Sequence, residues 1–385
     1  MLQVRSKLEK ACKAFEKPYT TLNHIELSRD ALVHNCKRMK KLHNGSELFP
    51  VLKSNAYGHG LLEIVQALED FNFPYVCVDG YYEALQIRSV SRQRVLVMGH
   101  ILPANVPHIH TEGFAFVVHD KEVIKAFGSV GREIAIHLEI NTGMNRYGIQ
   151  PEELDEYLRL INSFPDLRLE GVMSHLADAD GETNEYTEFQ QKLFDNCLAK
   201  VVAAGVSPRY MHLAQTAGST KTTSRFANAI RLGIGLYGIN PLVPSDAKYT
   251  ELDHLQPVLA LHAKVTKVIT LQSGEKVSYN CTFTATGPTR IGVLALGYYE
   301  GIARSLSNQG VVKYQDTYLP VIGRVCMNHM MIDLTGSSAG YGDNIVVISR
   351  DKQDKNSIQT LSRDHDLFSY LMITRLNENI RRKIV

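Results

Sequence analysis

Two rhythms of hydrophobic and polar positions divide the chain. Short apolar runs recur near residues 48–52, 75–79, 94–98, 114–118, 134–140, 168–174, 209–213 and 229–232. The segments between them carry helical patterning, clearest in Pro151–Ile161 and Tyr186–Ala204. Apolar runs bounded by polar turns predict buried strands, and a 3.6-residue rhythm predicts amphipathic helices. Ahead of them Thr20–Leu27 predicts another strand. Ser28 is placed to cap a helix whose apolar face is Leu32, Val33, Cys36, Met39 and Leu42. Eight strands alternating with helices over about 200 residues form the footprint of a (β/α)8, TIM-type barrel.

After Gly238 the rhythm changes. Leu259, Leu261, Ala263 and Val265 alternate with Ala260, His262, Lys264 and Thr266, the period of a half-buried strand. Further strands are predicted at 276–279, 290–296, 310–314, 317–322, 330–334 and 344–349, with no long helical stretch before the C-terminus. The expected organisation is an extension at 1–19, a barrel at 20–254 and a mostly β C-terminal domain at 255–385. The first strand is able to join the β domain instead. The extension carries a helical pattern through Leu8, Cys12 and Phe15, and no function is assigned to it.

Composition narrows the class. A length of 385 residues favours two domains, and 44% hydrophobic content supports packed cores. A net charge of +2 gives no reason to invoke nucleic acid or an anionic membrane. The six cysteines (Cys12, Cys36, Cys77, Cys197, Cys281 and Cys326) lack Cys-x-x-Cys spacing, which points to reduced thiols. No apolar run is long enough to span a bilayer, and the first twenty residues lack a signal-like apolar core. The expectation is a cytoplasmic protein with no bound metal.

Candidate chemistry gathers at the predicted strand ends. Pro50-Val51-Leu52-Lys53-Ser54-Asn55-Ala56-Tyr57-Gly58-His59-Gly60 places a lysine where a strand gives way to a loop, with glycines that permit close backbone approach to a ligand. A lysine in a partly apolar mouth can lose its proton and attack an aldehyde, the Schiff-base chemistry of pyridoxal phosphate. Arg146 follows the fifth strand, His175 ends the sixth, Thr216 follows the seventh, and Arg231 with Gly233 and Ile234 ends the eighth. In such a barrel reactive groups belong at this face, and phosphate binds after strands seven and eight.

These segments resemble the alanine racemase family from about Thr20 to the C-terminus. The resemblance is carried by the Lys53 stretch, by Thr142-Gly143-Met144-x-Arg146 and by Arg231-x-Gly233-x-x-x-Tyr237-Gly238. In the second domain it rests on Val277-Ser278-Tyr279, Leu296-Gly297-Tyr298 and Gly323-Arg324-Val325-Cys326-Met327. It implies that Lys53 holds pyridoxal 5'-phosphate as a Schiff base and works one face of the substrate Cα, with Tyr279 on the other. His175 and Arg231 would support Tyr279, and Arg231 would face the pyridine nitrogen. Arg146 would steady the cofactor phenolate oxygen, and the Met327 amide would help hold the substrate carboxylate. Tyr57, Thr216, Gly233, Ile234 and Thr374 would bind the phosphate, while His59 would structure the loop. Because Lys53 and Tyr279 lie in different domains, the resemblance implies a homodimer with composite sites acting on a small amino acid. It also implies D-alanine supply for peptidoglycan.

Several residues depart from the family pattern. Glu139 stands where several members carry a carbamylated lysine and is expected to pair with Arg146. Asn328 replaces a usual aspartate, Gln215-Thr216 an Asn-Ser pair, and Thr374-Arg375 a Tyr-Arg pair. These changes leave open a racemase of serine, lysine or a broad set of amino acids. A pyridoxal phosphate-dependent decarboxylase would need a carboxylate at the pyridine nitrogen, against Arg231. A non-catalytic pyridoxal phosphate-binding protein would resemble the first domain alone, against Tyr279 and Cys326-Met327.

Overall fold

The computed structural model describes residues 20–385, so the expected helix through Leu8, Cys12 and Phe15 lies outside the described residues. The first strand is β1 (Asn23–Leu27). The apolar runs follow as β2 (Glu47–Pro50), β3 (Val76–Val78), β4 (Val95–Val97), β5 (Phe114–Val118), β6 (Ile134–Glu139), β7 (Leu167–Met173), β8 (Tyr210–His212) and β9 (Ala229–Leu232). They pair in parallel in the order β2-β9-β8-β7-β6-β5-β4-β3. The cylinder closes where Val51 bridges Cys77 and the Leu52 amide donates to the Cys77 carbonyl at 2.7 Å. Phe49, Val51, Tyr75, Cys77, Leu96, Val117, Met173 and Tyr210 pack together as one buried cluster, the layered filling that makes such a barrel solid.

Helices α1 (Arg29–Leu42), α2 (Leu61–Ala67), α3 (Tyr81–Val90), α4 (Lys121–Gly128), α5 (Leu154–Asn162) and α6 (Glu185–Ala203) alternate with the strands. The Ser28 hydroxyl caps α1 by accepting from the Ala31 amide at 3.2 Å. The buried stripe of α1 runs through Ala31, Leu32, Asn35, Cys36 and Met39, leaving Val33 half-buried and Leu42 exposed. Asn35 takes its place in that stripe by donating to the Leu236 and Gln256 carbonyls and accepting from the Gln256 amide. Between β4 and β5 the connection is a 3-10 turn, Pro103–His108, because Pro107 lacks the N–H an α-helix needs.

The second half is antiparallel β. Its strands are β10 (Leu259–Leu271), β11 (Lys276–Val277), β12 (Phe283–Thr284), β13 (Thr289–Leu294), β14 (Val311–Tyr314), β15 (Thr317–Ile322), β16 (Met330–Asp333), β17 (Asn344–Ile348) and the short β18 (Arg382–Ile384). The main sheet runs β13-β16-β15-β14-β17-β10-β1-β18, and an extra β13–β10 pairing curls it closed. β1 therefore pairs with β10, Ile25 opposite Leu261, rather than with the barrel strands. β10 is not the half-buried strand its alternation predicts. Leu259–Ala263 are buried on both faces, since Leu259, Leu261 and Ala263 face the main core while His262, on the other face, stacks on His24 at 5.0 Å. Helices α7 (Ile358–His365) and α8 (Ser369–Thr374) return the chain to the barrel, where the Gly58 backbone meets the Ile373 carbonyl.

Candidate active site

Lys53 leaves β2 and enters a turn of reversed hand. Ser54, Asn55, Ala56 and Tyr57 have φ of 56°, 55°, 52° and 53°, one turn of left-handed helix. Each such L-residue costs roughly 1–2 kcal/mol, so the turn has to be fastened from outside. Glu83 Oε1 accepts from the Ser54 amide at 2.6 Å, and Asn55 Oδ1 accepts from the Leu61 amide at 2.8 Å. Gly58 follows at φ 80°, where a Cβ would fall 1.9 Å from the Ile373 carbonyl oxygen. His59 is buried, stacked on Tyr237 at 4.3 Å with Nδ1 3.1 Å from the Tyr57 carbonyl oxygen, and so holds the loop. Burial pushes its imidazole down to about 3.

The reversed turn delivers Tyr57 to the end of β9. A Cβ on Gly233 would lie 2.9 Å from the Tyr57 hydroxyl and 3.9 Å from Thr216 Oγ1, so the missing side chain leaves a cradle edged by two hydroxyls. Thr216 Oγ1 accepts from the Gly235 amide at 3.2 Å. Among the described residues the Gly233 and Ile234 amides donate to no protein acceptor. Hydroxyls and free amides around a gap are the chemistry of a phosphate site. With Lys53 beside it, the residues present fit pyridoxal phosphate.

Arg231 is fully buried across this mouth. Its Nη1 donates to His212 Nδ1 at 2.7 Å and to the His212 carbonyl at 3.0 Å. Its Nη2 donates to the Ser174 and Leu213 carbonyls at 2.7 and 2.9 Å and to His175 Nδ1 at 3.0 Å. A guanidinium only donates, so both histidines accept through Nδ1 and carry hydrogen on Nε2. His212 Nε2–H then donates to His137 Nδ1 at 2.8 Å. Burial pushes His137 and His175 down to about 3 and His212 well below its ordinary range, so all three are neutral at pH 7. Burial also lowers Arg231, to about 10, which leaves it cationic. His175 thus offers an Nε2–H on the side away from Arg231.

The remaining predicted residues divide. Arg146 is exposed, and Glu139 makes no ion pair with it within 4.0 Å among the described residues. Burial raises the Glu139 carboxyl, with Arg231 and then Arg146 opposing from a distance, so the expected direct pairing is not formed. Thr374 lies by the Lys53 loop, with its Cα 3.3 Å from the Cβ position of Gly58. Its hydroxyl is turned back to the Tyr370 carbonyl at 2.7 Å. Tyr279 and Met327 stand on the β domain, 69% and 54% exposed. Ser278 Oγ lies 3.3 Å from Cys326 Sγ, so the two loops share one face. Within one chain nothing described brings Tyr279 to Lys53. Residues that motif reading missed are His137, His212, Asp79 and Glu83. The two histidines carried one signal, a polar residue inside an otherwise apolar strand.

A lysine, a buried arginine and a cradle of hydroxyls and free amides at a barrel mouth, followed by a closed β domain, fit a pyridoxal phosphate enzyme of the barrel-plus-β-domain class, and comparison with known proteins makes it an isomerase. Two family descriptions match, "Alanine racemase, N-terminal domain" over residues 27–241 and "Alanine racemase, C-terminal domain" over 258–384. The chain is 30% identical to the alanine racemase of Symbiobacterium thermophilum over 364 residues, 93% of this chain and 95% of that one. It is 31% identical to that of Lactobacillus acidophilus over 367 residues, 93% and 96% of the two chains. The crystal structure of alanine racemase from Bacillus anthracis with bound L-Ala-P superposes with a TM-score of 0.85 at 28% identity, covering 96% of each chain. The chain belongs to the alanine racemase family.

Proposed function

We propose that the protein interconverts L- and D-alanine with pyridoxal 5'-phosphate, as a homodimer whose two sites each combine one barrel with the partner's β domain. The observation that carries this is the separation just described. Lys53 waits at a built mouth, while Tyr279 and the unused Met327 amide face outward with no hydrogen-bond partner among the described residues. When bound, the cofactor supplies the electron sink that acidifies the substrate Cα–H. Lys53 holds it, while Tyr57, Thr216 and the Gly233 and Ile234 amides take the phosphate. Arg146, exposed at the rim, would steady the phenolate oxygen. Arg231, unable to accept a proton and pinned by five acceptors, would face the pyridine nitrogen and disfavour its protonation. Lys53 and Tyr279 of the partner subunit remove and return a proton on opposite faces. The His175 Nε2–H donates to that phenol oxygen and stabilises it when ionised.

Alanine is favoured over larger substrates by the named relatives, and the ordinary composition favours a cytoplasmic role in D-alanine supply for peptidoglycan. The composite site is tested by mixing. Lys53→Ala and Tyr279→Phe homodimers are each expected to be inactive, because every site lacks one group. After subunit exchange the mixed dimer has one doubly defective and one intact site, so activity should return to about a quarter of wild type for random pairing of a two-fold dimer. No recovery from subunits shown to have exchanged would overturn the shared site. Chiral chromatography of products from a panel of L-amino acids tests the substrate.

A further inference from the structure

Lys53 has an acidic neighbour that no step above uses. Its Nζ lies 3.4 Å from Asp79 Oδ1. The two are 26 positions apart in sequence and meet because the barrel closes through Val51 and Cys77, which sets the ends of β2 and β3 side by side. The Asp79 backbone is fixed on both sides. Its amide donates to Glu83 Oε2 at 3.0 Å, and its carbonyl accepts from the Gly99 amide at 2.8 Å. Gly99 is needed there, since a Cβ would fall 2.4 Å from that carbonyl oxygen. Glu83 also takes the Ser54 and Gly80 amides, so one carboxylate staples the lysine loop to the aspartate loop. Among the described residues Lys53 is the sole side-chain partner of the Asp79 carboxylate.

The other charged and titratable groups facing Lys53 leave this pairing unopposed. Glu83 is committed to three backbone amides. Burial pushes the Cys77 thiol and the Tyr57 phenol each up to about 12, and His175 down to about 3, so these three are neutral at pH 7. Arg231 and Arg146 are cationic. Asp79 is therefore the carboxylate free to meet the lysine, since Glu83 beside it is taken up by backbone amides.

We infer that Asp79 is a positioning residue for Lys53: its carboxylate is the counter-ion that holds the lysine nitrogen at the mouth, where it is presented to the cofactor. The second half of this rests on the cofactor reading above; the first does not. The test compares wild type, Asp79→Asn and Asp79→Glu, the asparagine keeping shape and losing charge. In protein stripped of cofactor, labelling of Lys53 by an uncharged amine-reactive ester at fixed pH, read by peptide mass spectrometry, should speed up about two- to fivefold in Asp79→Asn, the size expected when an exposed carboxylate no longer occupies the amine. On reconstitution, the initial rate at which the yellow absorbance forms should fall by a similar factor, because the lysine is no longer held at the mouth. Asp79→Glu should restore both. Labelling and absorbance unchanged in Asp79→Asn would overturn the inference. If no variant or wild type takes up the cofactor, the functional reading fails while the labelling result still decides the Asp79–Lys53 pair.

Discussion

Asn328 hangs the loop under Met327 on one carboxylate. Its amide nitrogen donates to Glu300 Oε1 at 2.8 Å, and Glu300 Oε2 accepts from the Gly297 amide at 2.7 Å. An aspartate at 328 would set two carboxylates against each other. Asn328→Asp should therefore cost about 1 kcal/mol at neutral pH, the scale of one lost hydrogen bond. The penalty should shrink in acid, where the carboxyls protonate, and thermal melting at both pH values reads it. The residue that looked like a departure is thus matched to its neighbour. At this scale the placement of Lys53, Arg231 and Thr216 at the ends of barrel strands was legible because each sits in a motif. Asp79 was not, since its contact with Lys53 exists only once the barrel has closed. Glu139 misled for a related reason, because neighbouring strand ends do not fix which way two long side chains point.

Among the elements, the barrel strands could be read closely, because most are short apolar runs buried on both faces, as β3, β4 and β5 are throughout. β10 read less well, as alternation reports one exposed face and its first half, Leu259–Ala263, has none. The hand of the Lys53 turn was invisible. Lys53-Ser54-Asn55-Ala56-Tyr57 contains no glycine to announce positive φ, and the conformation is imposed by Glu83, Asn55 and the packing of Gly58. Glycine in an ordinary helix destabilises by about 1 kcal/mol, whereas here the sign reverses. Ser54 makes no side-chain hydrogen bond among the described residues, so Ser54→Gly should leave stability unchanged or raise it by up to about 1 kcal/mol in chemical denaturation. A loss of that size would show that the turn is not strained at this position.

Across the whole molecule, buried neutral histidines tie stability to pH. His59, His137 and His175 are held near 3 in the folded state against an ordinary value of 6.5. Their folded values are depressed, so the unfolded chain binds more protons, and stability present above pH 6.5 is lost as pH falls toward 3. Each contributes about 1.4 kcal/mol per pH unit across that window. Melting temperature should drop steeply between pH 7 and 5, and His137→Asn should flatten the slope. The two-part architecture was legible from the change of rhythm near Gly238. A partner subunit is expected only through family resemblance, because no pattern in one chain says where an exposed tyrosine goes. Among the described residues no helix is long and apolar enough to cross a membrane.

The place of β1 governs the order of assembly. Its neighbours are β10 and β18, so every barrel strand is synthesised between this strand and either partner. A nascent chain carries β1 with both edges open until the second sheet arrives, and contacts of such long range form slowly. The barrel is thus free to take shape first, and the interval before β1 is captured is when stray strand pairing between chains has its opening.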